Sequence, residues 1–309
     1  MSFALFALRT SLNAQAVFAP KSAGRRAATI FFTPLGGRLK APHRAFLETA
    51  DNTVTLSLHA DKLHIRQPIT PNPLSVKAYE WLPIATNNTA NTPPKRILLL
   101  HGWQSNAARW KPLHDLLRSE GHHLFALDAP AHGASDGVML NAVLYADALN
   151  AAYERFRPNV IIGHSFGGFA AAYFAAIFPR PDDLLEGVVL MGVPSDVTDI
   201  VKDFTDKLRL SNRVRKAVMN YFTERFGLPV EYFSVSAFVR RLEESQLEGL
   251  IIHDRHDQTA PFTDGEAIAK NWKRATFLAT DGIGHSLQHP SIYAAISGFV
   301  KGLKSTAIK

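Results

Sequence analysis

Apolar positions along the 309-residue chain fall into two regimes. Between an N-terminal arm and residue 96 they alternate with polar ones. "VTLSLHADKLHIRQ" (54–67) alternates on both sides of Ala60-Asp61, which predicts an antiparallel hairpin, and "SVKAYEWLP" (75–83) reads as a third extended segment. "TNNTANTPPK" (86–95) reads as a loop. From residue 96 onward, short unbroken apolar runs take over: "RILLLHG", "HLFALDAP", "NVIIGHS", "GVVLMGVP", "GLIIHD" and "ATFLAT". Helical spacing fills the stretches between them, near 106–119, 140–156, 166–177, 197–245 and 263–272, with a last helix over 290–303. Runs without polar interruption suit strands covered on both faces, and helix-length spacers suit crossover connections. The expected fold is α/β: a mostly parallel central sheet flanked by helices, with antiparallel strands at its N-terminal side.

One spacer is too long for a crossover. Residues 195–246 hold three segments of helical spacing, with Ser211 and Ser234 where helix N-caps are expected. They are read as a helical cap inserted into a domain of residues 49–309, preceded by an N-terminal arm of residues 1–48.

Charge sets that arm apart. Residues 1–47 hold no Asp or Glu and seven of the chain's 34 Lys and Arg, so the rest is balanced at 27 basic against 27 acidic. A folded body with no basic excess argues against nucleic acid as a partner. The arm's bias suits a transit peptide or a membrane-surface helix, but charge runs are most often exposed faces, so an arm packed on the domain is the favoured reading. A secretory signal is not expected, since "FALFAL" is short and Arg9 interrupts it. With no apolar run near the ~18 residues of a membrane span, the expected location is cytoplasmic, with peripheral membrane contact through the arm as its one route to a bilayer. The chain has no cysteine, which removes disulfides, thiolate ligands and a Cys nucleophile.

"VIIGHSFGGFAAAYFAA" (160–176) carries the chemistry. Gly163-His164-Ser165-Phe166-Gly167 is a G-x-S-x-G motif between a buried strand and an Ala-rich helix, the context in which a serine is presented at a strand-to-helix corner. A hydroxyl needs a base to take its proton. His285 in "TDGIGHSLQHP" follows the final strand at the carboxyl edge of the sheet, where α/β sites form, and His289 is the weaker candidate. "HDRHDQTAP" (253–261) offers Asp254 and Asp257 as the orienting acid. Asp257 lies further into the loop and is favoured, Asp254 reads as a strand-end cap, and Asp196 is an alternative acid. His253, Asp254, His256 and Asp257 resemble a metal set, but neighbours along a strand point to opposite faces, so neither metal nor cofactor is expected. Two backbone N–H donors for an oxyanion are expected at Phe166, after the serine, and at Trp103 in "LLLHGWQS".

The order Ser165, Asp257, His285, together with "HGW" (101–103), "LDAPAHGASD" (127–136) and "GIGHS" (282–286), resembles the α/β-hydrolase superfamily over residues 54–303. The chain is most similar to bacterial serine esterases and lipases with a modest helical cap. The resemblance implies Ser165 as nucleophile, His285 as base and then acid, Asp257 as the residue fixing its tautomer, and the Trp103 and Phe166 amides as oxyanion hole. It implies hydrolysis of small-molecule carboxylic esters. Carbon–carbon bond cleavage, acyl transfer and cofactor-free oxygen chemistry stay open on the same triad, as does a non-catalytic binding module on the same fold. The cap's Phe204, Tyr221, Phe222, Phe226, Tyr232 and Phe233 are candidates for an apolar acyl pocket, at least half of them expected to serve as anchors instead.

Overall fold

The computed structural model describes residues 3–85, 93–179 and 184–304. Eight strands form one sheet: β1 (Asn52–Leu58), β2 (Leu74–Trp81), β3 (Arg96–Leu100), β4 (His123–Leu127), β5 (Val160–His164), β6 (Gly187–Met191), β7 (Glu248–Asp254) and β8 (Ala275–Thr280). Their order is β1-β2-β4-β3-β5-β6-β7-β8. β1 and β2 run antiparallel to their neighbours, and every pair from β4 to β8 is parallel. β5 and β6 are buried at every position, which is why their sequences show no polar alternation. β8, one of the two edge strands, is only partly covered.

The expected hairpin over 54–67 does not form. β1 pairs with β2, Asn52 opposite Glu80 and Leu58 opposite Leu74, and residues 59–73 make an irregular connection. Pro68, Pro71 and Pro73 have no N–H for a ladder. The His64 N–H donates to Asp147 Oδ1 at 2.8 Å, and Leu63 is buried in the core. Alternation there reports one-sided burial of a loop. Of the loop expected over 86–95, residues 86–92 lie outside the described residues.

Helices cover both faces: α4 (Lys111–Ser119), α5 (Ala142–Phe156), α6 (Phe166–Ile177), α10 (Phe262–Lys270) and α11 (Pro290–Gly302). Between β6 and β7 stand α7 (Val197–Lys207), α8 (Asn212–Phe226) and α9 (Val235–Arg240). Ser211 and Ser234 cap the last two, accepting from the N–H groups of Val214 and Ala237. Gly227, in the left-handed region at φ 69°, and Pro229 end α8 and divide the long helical pattern.

The N-terminal residues form α1 (Phe3–Phe18), α2 (Pro20–Phe32) and α3 (Ala41–Leu47). α2 lays Ala23, Gly24, Ala27 and Ala28, all buried, along α8. Leu5, Phe6, Val17 and Phe18 of α1 stay exposed. Among the described residues no helix is long and apolar enough to cross a membrane.

Candidate active site

Ser165 sits between β5 and α6 with φ 52° and ψ −120°. That conformation costs on the order of 1–3 kcal/mol in a non-glycine residue and persists only where the surroundings impose it. Its N–H donates to Met191 O at 2.8 Å, which ties the corner to β6. The sharp turn brings α6 down on the sheet. A Cβ on Gly163 would stand 2.5 Å from Gly168 Cα, and one on Gly167 would stand 2.4 Å from Leu100 O, so neither position has room for a side chain. The G-x-S-x-G spacing follows from this crowding.

The structure brings Ser165, His285 and Asp257 into one hydrogen-bonded chain. Ser165 Oγ is 3.1 Å from His285 Nε2, and His285 Nδ1 is 2.7 Å from Asp257 Oδ2. With Nδ1–H donating to the carboxylate, Nε2 is left to accept from the serine hydroxyl. The other Asp257 oxygen accepts from the N–H groups of Thr259 and Ala260 at 2.7 and 2.9 Å. Burial pushes the Asp257 pKa up, but the hydrogen bonds from His285, Ala260 and Thr259 outweigh it and hold the carboxyl below its ordinary range.

The remaining candidates take supporting places. Asp254, read as a strand-end cap, does more: it accepts from the Thr280 hydroxyl at 2.8 Å and from the Ile283 and His256 N–H groups at 2.9 Å each. It thereby joins the loop that carries Asp257 to the loop that carries His285. Burial opposes its charge, yet these donors lower its pKa to about 2. His289 caps α11, accepting from the Ser291 N–H. Asp196 stands at the start of α7, in the cavity wall described below. Among the described residues, no three His, Asp or Glu side chains converge as a metal set.

Two supporting residues escaped the sequence reading. His164, beside the serine, donates from Nε2 to the backbone carbonyl of His285 at 2.7 Å, while Arg109 donates to its Nδ1. Arg109 also donates to Ser286 O at 2.9 Å. Burial, then the Arg109 charge, push the His164 pKa well below its usual value, so it is a neutral link between the serine corner and the His285 loop. Burial lowers Arg109 itself only to about 10, so it keeps its charge at neutral pH.

The expected oxyanion donors lie beside Ser165. Phe166 opens α6, where a helix start leaves its first N–H groups unpaired. The loop carrying Trp103 crosses over the serine closely enough that a Cβ on Gly102 would be 3.0 Å from Ser165 Cβ. Its neighbours are pinned: the Gln104 N–H donates to His132 Nε2 at 3.0 Å, and the Tyr145 hydroxyl to His101 O at 3.0 Å.

Above Ser165 opens a cavity of about 570 Å³. Trp103 and Phe166 line it beside the serine, and the cap supplies Phe204, Phe222, Phe226 and Phe233. Tyr221 and Tyr232, the other two cap aromatics, pack against the core cluster. The ionisable residues in the wall, Asp196, Asp199, Asp203, Asp257 and Asp264, are all acidic.

In a comparison with known sequences, the pattern of the alpha/beta hydrolase family matches residues 97–295. The chain belongs to the alpha/beta hydrolase family. It is 25% identical over 235 residues to a bifunctional esterase/perhydrolase of Acinetobacter calcoaceticus, covering 62% of this chain and 85% of that protein. A serine hydrolase-like protein of Danio rerio is 30% identical over 141 residues, 41% of this chain. The match spans only 42% of that relative's length. Among solved structures, a bromoperoxidase from Bacillus anthracis superposes with a TM-score of 0.56 at 15% identity, over 81% of this chain and 99% of that one, a likeness of fold alone. Membership of the family, with the esterase and serine hydrolase-like relatives, supports hydrolase activity.

Proposed function

We propose that the protein hydrolyses neutral carboxylic esters through an acyl-Ser165 intermediate. The observation that carries this reading is the Ser165–His285–Asp257 hydrogen-bonded chain at the foot of an apolar cavity. Ser165 Oγ attacks the ester carbonyl carbon as its proton passes to His285 Nε2. The resulting oxyanion is met by the N–H groups of Phe166 and Trp103, each worth roughly 3 kcal/mol in such a role. His285 then gives the proton to the departing alkoxide, which leaves as the alcohol. Water, deprotonated by the same nitrogen, attacks the acyl-serine and releases the carboxylic acid. Asp257, ionised at neutral pH, holds the imidazole in the one tautomer that serves both steps.

The cavity supports a substrate class as well as a reaction. Its aromatic lining suits an alkyl or aryl acyl group. A wall whose ionisable groups are all carboxylates disfavours an acyl chain that ends in a carboxylate of its own.

The test is a series of p-nitrophenyl esters from acetate to palmitate, with a hemiadipate ester as the charged counterpart of the hexanoate. We expect turnover of the neutral esters and at least tenfold lower kcat/KM for the hemiadipate, about 1.4 kcal/mol of discrimination. A well-folded enzyme that turns over no ester in the series overturns the reading. Equal rates for hexanoate and hemiadipate leave the ester chemistry standing and refute the substrate class.

A further inference from the structure

The wall of the cavity is not built by the hydrolase domain and its cap alone. Phe31 and Phe32, at the end of α2, also line it. We propose that the N-terminal helical hairpin, α1 with α2, is the outer half of the cap, and that Phe31 and Phe32 set the length of acyl chain the site accepts. This rests on the esterase reading above and adds to it the element that selects the substrate.

Sequence spacing explains how the helix can do this. Ala23, Gly24, Ala27 and Ala28 are buried on the side of α2 that faces α8. A Cβ on Gly24 would lie 2.5 Å from Ala217 O, so the two helices approach to backbone contact and leave little freedom to slide. One turn beyond Ala27 and Ala28, on the same face, come Phe31 and Phe32. There the small residues give way to large ones, and the rings fill the space that opens over the active site.

The rings join the cap's own aromatics. Phe31 stands edge-on to Phe204 of α7, with centroids 5.1 Å apart, and 6.4 Å from Phe222 of α8. Phe32 is 5.5 Å from Phe222 and 6.1 Å from Phe226. Edge-on and tilted contacts of this kind add to what burial alone contributes and favour one arrangement of the rings. All five residues line the cavity that Ser165 lines.

Hydrogen bonds fix the hairpin at both ends. Asn13 of α1 accepts from the Ser211 N–H at 2.7 Å and donates to Arg209 O, which binds α1 to the turn between α7 and α8. At the other end, the Leu140 N–H donates to Phe32 O at 2.8 Å, and Leu140 is itself in the cavity wall. The chain then runs on to the active-site front, where Gly37 O accepts from the side chain of Asn106 at 3.3 Å, close after the oxyanion loop.

The experiment compares the wild-type 309-residue chain with Phe31→Ala and Phe31→Trp, using p-nitrophenyl alkylphosphonates from ethyl to dodecyl. Ser165 Oγ displaces p-nitrophenolate from phosphorus, and the rate is read from the released phenolate and the intact mass. Each variant's rates are read as ratios to its own ethylphosphonate rate, so that a general change in the site cancels and only the chain-length profile is compared. Phe31→Ala should move the optimum to longer chains. Phe31→Trp should cut the rate with chains at the wild-type limit by at least about tenfold, the scale on which one methylene too many is rejected. Half-buried Phe31 is chosen over buried Phe32 so that folding survives, which unchanged thermal melts would verify. Wild-type length profiles in both variants overturn the proposal. Failure of the serine reading looks different: even the ethyl reagent then leaves the wild-type mass unchanged. In that case calorimetric binding of n-alkanols reads the same wall, and an unchanged length preference in Phe31→Ala overturns the proposal there too.

Discussion

At Ser165 a strained backbone, at φ 52° and ψ −120°, is held by groups that also aim its partners. The residue before it, His164, is bonded to the carbonyl of His285 itself, and Arg109 donates both to His164 and to Ser286 O. Ser165 and His285 are therefore clasped by their own neighbours, and their separation does not depend on the loops alone. Removing the clasp should loosen the pair without touching either. Arg109→Met, which keeps much of the side-chain volume and removes the donors, is expected to lower kcat roughly 10- to 100-fold with little change in KM, because an error of about 1 Å in placement costs up to that much. A fall in KM of the same size, or full activity, would refute the positioning role. None of this was legible in the sequence. Ser165, Asp257 and His285 announce themselves by motif, by loop position and by chain order. Arg109 reaches a partner 55 residues away and another 177 residues away, and nothing in its local setting marks it. Asp254 was visible as a strand-end acid, but its bonds to Thr280 and Ile283 depend on the parallel pairing of β7 with β8.

Among the elements, the buried parallel strands were the easiest to read, because burial on both faces removes polar positions from the sequence. The connection after β1 was misread because alternation records which side of a segment is buried and not whether it has a strand beside it. The partner of an amphipathic helix is equally hidden. The spacing of α2 shows that it has a small-residue face, but not that the face meets α8. Gly24 tests that contact. Gly→Ala inside a helix ordinarily gains up to about 1 kcal/mol in propensity. At Gly24 the new Cβ would meet Ala217 O at 2.5 Å, and overpacking costs about 1–3 kcal/mol, so the clash should win. Gly24→Ala is expected to lower the melting temperature, while Gly298→Ala in α11, where a Cβ meets nothing within 4 Å, should hold or raise it. A stabilised Gly24→Ala would mean that α2 does not lie against α8 as described.

For the whole molecule, the architecture gathers one site from distant parts of the chain. The acid-free N-terminus places Phe31 and Phe32 over a serine more than a hundred residues later, and Asp257 and His285 come from the loops after β7 and β8. Of the basic residues of 1–47, Arg25 and Arg26 on α2 are exposed, Lys21 is paired loosely with Glu224 at 3.7 Å, and Arg38 donates to the Ser135 and Gly137 carbonyls. None of the seven lines the cavity. What the site must do, on this account, is carry an acyl group on Ser165. The direct measurement mixes the enzyme with a molar excess of p-nitrophenyl hexanoate, quenches in acid during turnover, and weighs the intact chain beside Ser165→Ala. An acyl-Ser165 mechanism requires a wild-type species heavier by one hexanoyl group, mapped by peptide analysis to Ser165. It requires that the variant show neither adduct nor turnover. Turnover that persists in Ser165→Ala, or an adduct mapped to another residue, would contradict it.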